Sequence, residues 1–140
     1  GADGVVLFNR FFRPDIDIQN AKPVYDNYLS EPSEMTQSLR WVGILSNKVN
    51  CDIAAATGIH DYQGVIKQIM AGANATQICS TLYKKGIPYI GEIINGLETW
   101  MKENKVKSLD ELRGKIHIGT DNSAEFERVQ FMRKTTGIFN

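Results

Sequence analysis

Two short stretches carry residue types suited to binding chemistry: Ala56-Thr57-Gly58-Ile59 and Cys79-Ser80-Thr81. Each follows a run suited to a buried strand and precedes one suited to a helix. Thr57, Ser80 and Thr81 offer hydroxyls, and Gly58 permits close approach of a ligand to the backbone. Unpaired amides at a helix start then favour a phosphate without any lysine. Read singly, Thr-Gly after a strand is a turn and a helix cap. Two such loops in succession make a phosphate clamp a reading of equal standing. Asn9 closes the apolar run Gly4-Val5-Val6-Leu7-Phe8 and would share the same rim. There it can hydrogen-bond a planar substrate or cofactor, or simply order its own loop. Arg10 can bind a carboxylate or face solvent, and solvent is the simpler expectation.

The remaining reactive side chains are isolated in sequence. His60 and His117 have no partner at catalytic or metal-ligand spacing and are expected as surface or loop residues, so no metal is expected. Cys51 and Cys79 lack the spacing of a zinc site or a redox pair. Both are expected as buried thiols, and Cys79 has no neighbouring base that would make it a nucleophile. Trp41 and Trp100 fall in amphipathic stretches and are expected to anchor the core.

The elements that must position these residues follow from periodicity and punctuation. Gly4–Phe8 is a continuous apolar run, the pattern of a strand buried on both faces. Pro14, Pro23 and Pro32 break the next stretch, within which Asp15-Ile16-Asp17-Ile18 alternates as an exposed strand would. A helix is expected from about Ser33 to Ser46, a second strand over 52–56, and a helix capped by Asp61 and ended by Gly72. A third strand is expected over 75–79. Pro88 opens a helix whose Ile90, Ile93, Ile94, Leu97, Trp100 and Met101 form one stripe. Ser108 with Glu111 and Asn122 with Glu125 have capping-box spacing, with Gly137 closing the last helix.

Composition narrows the classes. The 140 residues are 42% hydrophobic and 23% charged, enough for one modest core. Sixteen basic residues balance sixteen acidic ones, which gives no broad field for nucleic acid or anionic lipid. No apolar run approaches the roughly 20 residues of a membrane span, and nothing resembles a secretory signal. Cytoplasmic residence is the default expectation.

Strands alternating with helices imply a parallel α/β sheet with crossover helices. Three strands cannot close an eight-stranded barrel, which typically takes about 250 residues. The expected fold is therefore α/β, the C-terminal portion of a (β/α)8 TIM barrel with about three βα units and a helical tail. Residues 1–114 would form the partial barrel and 115–140 the helical extension. The two polar loops would then follow the last two barrel strands, where phosphates commonly bind.

The segments Ala55-Ala56-Thr57-Gly58-Ile59-His60-Asp61, Val65-Ile66-Lys67-Gln68-Ile69-Met70-Ala71-Gly72-Ala73 and Gln77-Ile78-Cys79-Ser80-Thr81-Leu82-Tyr83 resemble the end of the dihydroorotate dehydrogenase family. The resemblance runs from Gly1 to about Gly114. It implies a flavin mononucleotide (FMN) whose phosphate is held around Thr57 and Gly58 and around Cys79 and Ser80, with help from Thr81. It also implies that Asn9 contacts the substrate, dihydroorotate or a similar dihydropyrimidine. The excursion from Phe11 to Pro32 matches a region that supports the subunit interface in the family, so a homo-oligomer is expected. Thr57-Gly58 stands where the family usually has two glycines, and Arg10 where a small hydroxyl residue is common. The family's lysine near the flavin ring and its proton-abstracting residue lie on earlier strands, with no counterpart here. The expected function is the cofactor-holding part of an FMN oxidoreductase of pyrimidine biosynthesis, or else a noncatalytic phosphate-binding or structural module.

Overall fold

The computed structural model describes residues 1–11, 13–25 and 28–116. Strand β1 (Gly4–Leu7) leads into a hairpin of β2 (Asp15–Asp17) and β3 (Lys22–Val24). A 3-10 turn, Pro32–Glu34, then opens helix α1 (Met35–Leu45). Strand β4 (Asp52–Ala56), helix α2 (Tyr62–Ala71) and strand β5 (Ala75–Gln77) follow, and then helices α3 (Ser80–Lys85), α4 (Tyr89–Glu103) and α5 (Leu109–Leu112).

β1, β4 and β5 form one parallel sheet whose spatial order is their chain order. The register sets Val6 beside Ala54, and Ala54 beside Ala75. Because side chains alternate along a strand, each row of the sheet belongs to one face. Leu7, Ile53 and Ala55 point toward the helices and are buried with Val42, Val65, Ile66, Ile69 and Leu112. Full burial of a side chain such as Ile53 contributes about 1.5–3 kcal/mol. The opposite face is open: Val6 is 48% exposed, and Ala54 and Ala56 are only partly covered. The sheet is thus apolar on both faces but packed on one.

Local chemistry fixes the helix ends. The Asp61 carboxylate accepts from the Gly64 amide at 2.8 Å and starts α2. Gly72 ends it in the left-handed region, at φ 115°. Ser108 accepts from the Glu111 amide at 3.2 Å to start α5. The chain then returns to α2, with the Gly114 and Ile116 amides donating to the Ile69 and Met70 carbonyls at 3.0 and 3.1 Å.

Several sequence expectations shift in detail. The first helix opens with a 3-10 turn, because Pro32 lacks an amide donor and Glu31 already accepts from Glu34. β5 stops at Gln77, two residues short of the expected strand end, since the chain turns there into the Cys79 loop. The apolar stripe of α4 is only partly covered: Ile93 is buried, whereas Ile90 and Ile94 are exposed. His117, the helix expected at 122–137 and nearly all of the 115–140 extension lie outside the described residues.

Gly72 combines the left-handed backbone with a close contact, since a β-carbon there would lie 2.4 Å from the Ser46 β-carbon. Gly72→Ala is expected to cost about 1–3 kcal/mol, from backbone strain and overpacking together. Urea unfolding of the variant, alone and with Ser46→Gly, checks this: the second substitution should recover part of the loss, and an unchanged midpoint for Gly72→Ala contradicts the assignment.

Candidate functional site

The carboxyl ends of the three parallel strands open into a cleft of about 800 Å³. Phe8 and Asn9 enter it from the end of β1, residues 56–59 from the end of β4, and residues 77–81 from the end of β5. Tyr28 and Ser30 close it from the long connection before α1. All the residues singled out in the sequence, Asn9, Thr57, Gly58, Cys79, Ser80 and Thr81, line this one space. No carboxylate is among the described lining residues, so an anion placed there meets no repulsion from its immediate walls.

The β4 loop makes a tight turn through two successive left-handed residues, Thr57 at φ 74° and Gly58 at φ 76°. The first costs a residue with a β-carbon about 1–2 kcal/mol. Its hydroxyl offsets part of this by donating to the Phe8 carbonyl at 2.9 Å, which ties the end of β1 to the loop. At Gly58 the close approach comes from the chain itself. A β-carbon there would lie 2.2 Å from the Met35 nitrogen, so the start of α1 occupies the space the sequence reading reserved for a ligand.

The second loop opens α3. Leu82 and Tyr83 donate to the Cys79 carbonyl at 2.9 and 3.2 Å, so the Ser80 and Thr81 amides precede the first intrahelical bonds. Thr81 is 1% exposed, and its hydroxyl donates to the Ile59 carbonyl at 2.6 Å. That bond joins the two loops. The Ser80 hydroxyl accepts from the Ser30 amide at 2.8 Å. Asn9 is exposed; its Oδ1 accepts from the Arg10 amide at 2.9 Å, and its amide nitrogen has no partner among the described residues.

Three expectations are corrected and a fourth is refined. His60 is a loop residue, as expected, but a buried one, 8% exposed, with Nε2 3.3 Å from the Ser30 hydroxyl, because the tight Thr57-Gly58 turn carries it inward. Arg10 does not simply face solvent: its guanidinium donates to both Glu34 oxygens, at 3.0 and 3.1 Å. Cys79 is exposed and Cys51 half-buried, because Cys79 caps a helix at the rim instead of continuing β5. Trp41 is 38% exposed and meets Phe8 edge-on at 6.4 Å, covering the core margin without filling the core.

Ser30, Glu34 and Lys84 are the participants the sequence reading missed. Lys84 donates to the Ser30 carbonyl at 3.1 Å and to Glu31 at 2.6 Å. Ser30 sits in a proline-broken stretch with no periodicity, so nothing marks it locally. Glu34 did carry a signal, lying three residues after Glu31 and just before an apolar run.

Comparison with known proteins places this geometry. No family model matches the chain. The catalytic subunit of dihydroorotate dehydrogenase B (NAD(+)) from Petrotoga mobilis is 36% identical over 119 residues, covering 83% of this chain and 39% of the relative. The same subunit from Thermoplasma volcanium is 34% identical (81% of this chain, 38% of the relative), and that from Brachyspira hyodysenteriae is 31% identical (84% and 40%). Over most of its length the chain is similar to catalytic subunits of dihydroorotate dehydrogenase B. It spans about two fifths of the length of the curated relatives it matches. Among solved structures, the Eimeria tenella DHODH in complex with ferulenol superposes with a TM-score of 0.67 at 17% identity, covering 82% of this chain and 31% of that one. The ligand-free Eimeria tenella enzyme superposes with a TM-score of 0.57 at 19% identity, over 61% and 25%. These two matches show a shared fold. Among the described residues no helix is long and apolar enough to cross a membrane, and no three potential metal ligands gather.

Two titrating groups beside the cleft make its stability depend on pH. The Arg10 hydrogen bond holds the Glu34 carboxyl below its ordinary value of 4.5, against the opposing effect of burial. Burial holds His60 below its ordinary 6.5, aided by the nearby Lys84 charge. Both folded values are depressed, so the unfolded chain takes up protons first as pH falls. The His60 contribution is complete above about 6.5 and declines below it, and the Glu34 contribution is complete above about 4.5 and declines below that. Chemical unfolding across pH 3–7.5 should show stability falling toward acid, a shallower fall below pH 4.5 in Glu34→Gln, and a shallower fall below pH 6.5 in His60→Gln. Slopes identical to wild type would contradict both assignments.

Proposed function

We propose that the chain is the C-terminal, cofactor-holding part of a (β/α)8 barrel in an FMN-dependent oxidoreductase that acts on dihydroorotate or a similar dihydropyrimidine. The observation that carries the reading is the convergence of both polar loops on one cleft at the carboxyl ends of parallel strands. That is the end of such barrels that binds ligands, and the loops after the last strands are where phosphates sit. The barrel reading has its own support: strands adjacent in chain order, helices on one face and an open apolar face on the other. In a complete barrel that open face would line the packed interior.

The residues present fit an FMN phosphate. The cleft falls within the roughly 300–1,000 Å³ of cofactor sites, its described walls carry no carboxylate, and hydroxyls and helix-start amides supply donors. The Ser80 and Thr81 amides would take the phosphate oxygens, with Thr57, Gly58 and Cys79 shaping the space. The Thr81 hydroxyl is committed to Ile59, so Thr81 contributes through its backbone. When bound, FMN supplies the hydride chemistry, and the protein's part is to orient the reactants. Asn9 presents at the rim an amide nitrogen with no partner among the described residues, suited to a carbonyl of a planar substrate. Ala56 and Val6 keep the wall beside it apolar.

In this reading the protein works in pyrimidine biosynthesis in the cytoplasm, where the lack of a membrane-crossing helix among the described residues raises no obstacle. Self-association is supported by the β2–β3 hairpin, which carries Ile16 at 66% and the adjoining Ile18 at 82% exposure.

Titration with FMN and with riboflavin, followed by flavin fluorescence, tests the phosphate site directly. FMN is expected to bind at least about tenfold more tightly, a difference of roughly 1.4 kcal/mol carried by the phosphate alone. Cys79→Asp, which sets a negative charge at an exposed rim position, should remove that preference without unfolding the protein. Equal affinities for the two flavins in the wild type would sink the reading.

A further inference from the structure

Ser30 lies in neither helix nor strand, yet it is 5% exposed and each of its polar groups is engaged. Its amide donates to the Ser80 hydroxyl at 2.8 Å. Its own hydroxyl accepts from the Gly58 amide at 3.4 Å and lies 3.3 Å from His60 Nε2. Its carbonyl accepts from Lys84 at 3.1 Å. A residue that only stabilises its own turn bonds its immediate neighbours. These partners lie between 28 and 54 positions away, on the β4 loop, the β5 loop and α3.

We infer that Ser30 is a positioning residue of the cleft, a strap that fixes the spacing of the two loops by hydrogen-bonding to both. The assignment of this spacing to phosphate recognition rests on the reading proposed above. Three features carry it. The strap reaches one residue in each loop, Gly58 and Ser80, and both line the cleft. Among the described residues Thr81 to Ile59 ties the same two loops directly, and Ser30 adds a second tie that reaches them from the connection before α1. Lys84, the ammonium bonded to the strap, is held against the Ser30 carbonyl and Glu31. The cation thus secures the strap.

A positioning role and a general structural role differ in where their loss is felt. Ser30→Ala removes the hydroxyl from Gly58 and His60 but leaves the amide bond to Ser80. Lys84→Met releases the Ser30 carbonyl and Glu31 but leaves the Ser30 amide and hydroxyl bonds in place. Amide hydrogen exchange on the unliganded protein should quicken about tenfold at Gly58 in Ser30→Ala, the scale of one lost hydrogen bond, and by less at Leu82 and Tyr83, whose amides bond the Cys79 carbonyl. Exchange in the α2 core around Ile66 and Ile69 should hold at the wild-type rate. Lys84→Met should give a smaller change in the same places. In flavin titrations Ser30→Ala should lose most of the wild-type preference for FMN over riboflavin while riboflavin affinity stays put.

Exchange that is unchanged at both loops, or quickened everywhere alike, overturns the strap. A wild type that does not prefer FMN, with loop exchange still quickened in Ser30→Ala, would refute the phosphate reading and leave the strap standing. A preference for FMN that survives Ser30→Ala intact would overturn the strap's role in phosphate recognition while leaving the site itself in place.

Discussion

The cleft depends on two loops from different strands being held at a fixed separation, and the bond from Thr81 Oγ1 to the Ile59 carbonyl is the direct tie between them, to which Ser30 adds a second. At 2.6 Å, with Thr81 1% exposed, it is a short bond in a water-poor place. Breaking it would leave a buried carbonyl unsatisfied, at about 1–3 kcal/mol. Everything at the rim is arranged outward from that tie. Thr57 accepts a left-handed backbone and bonds the end of β1, Ser80 receives the Ser30 amide, and the Ser80 and Thr81 amides are left at the start of α3 with no earlier turn to bond.

The sheet beneath has a complementary asymmetry. Helices α1 and α2 cover the face bearing Leu7, Ile53 and Ala55, while Val6, Ala54 and Ala56 on the other face are partly or largely exposed. Small apolar side chains on an open face, beside strands whose outer edges carry no partner among the described residues, suit a sheet that continues. The curated relatives are rather more than twice as long as this chain.

Much of this was legible in the sequence where the signal is local. Asp61 and Gly72 bound α2 as their types require, and Gly4–Leu7 and Asp52–Ala56 are strands as their apolar runs imply. The six residues chosen for the site do meet in one cleft, because consecutive parallel strands bring their carboxyl ends together whatever the intervening helices do. What escaped was non-local. Ser30 bonds residues 28 or more positions away and sits where no periodicity operates. His60 is the loop residue expected, but its burial is set by the left-handed turn at Thr57 and Gly58, which sequence periodicity does not encode. Cys79 reads as a buried thiol because it has no metal, redox or basic partner in sequence, and the earlier end of β5 turns it outward.

The most direct measurement is the change in backbone amide resonances as FMN is added to the isotopically labelled protein. The account predicts its largest shifts at Ser80 and Thr81 and at the Gly58 loop, with inorganic phosphate at high concentration moving the same amides in the same directions. Shifts confined to other parts of the chain, or none at saturating FMN, would contradict it.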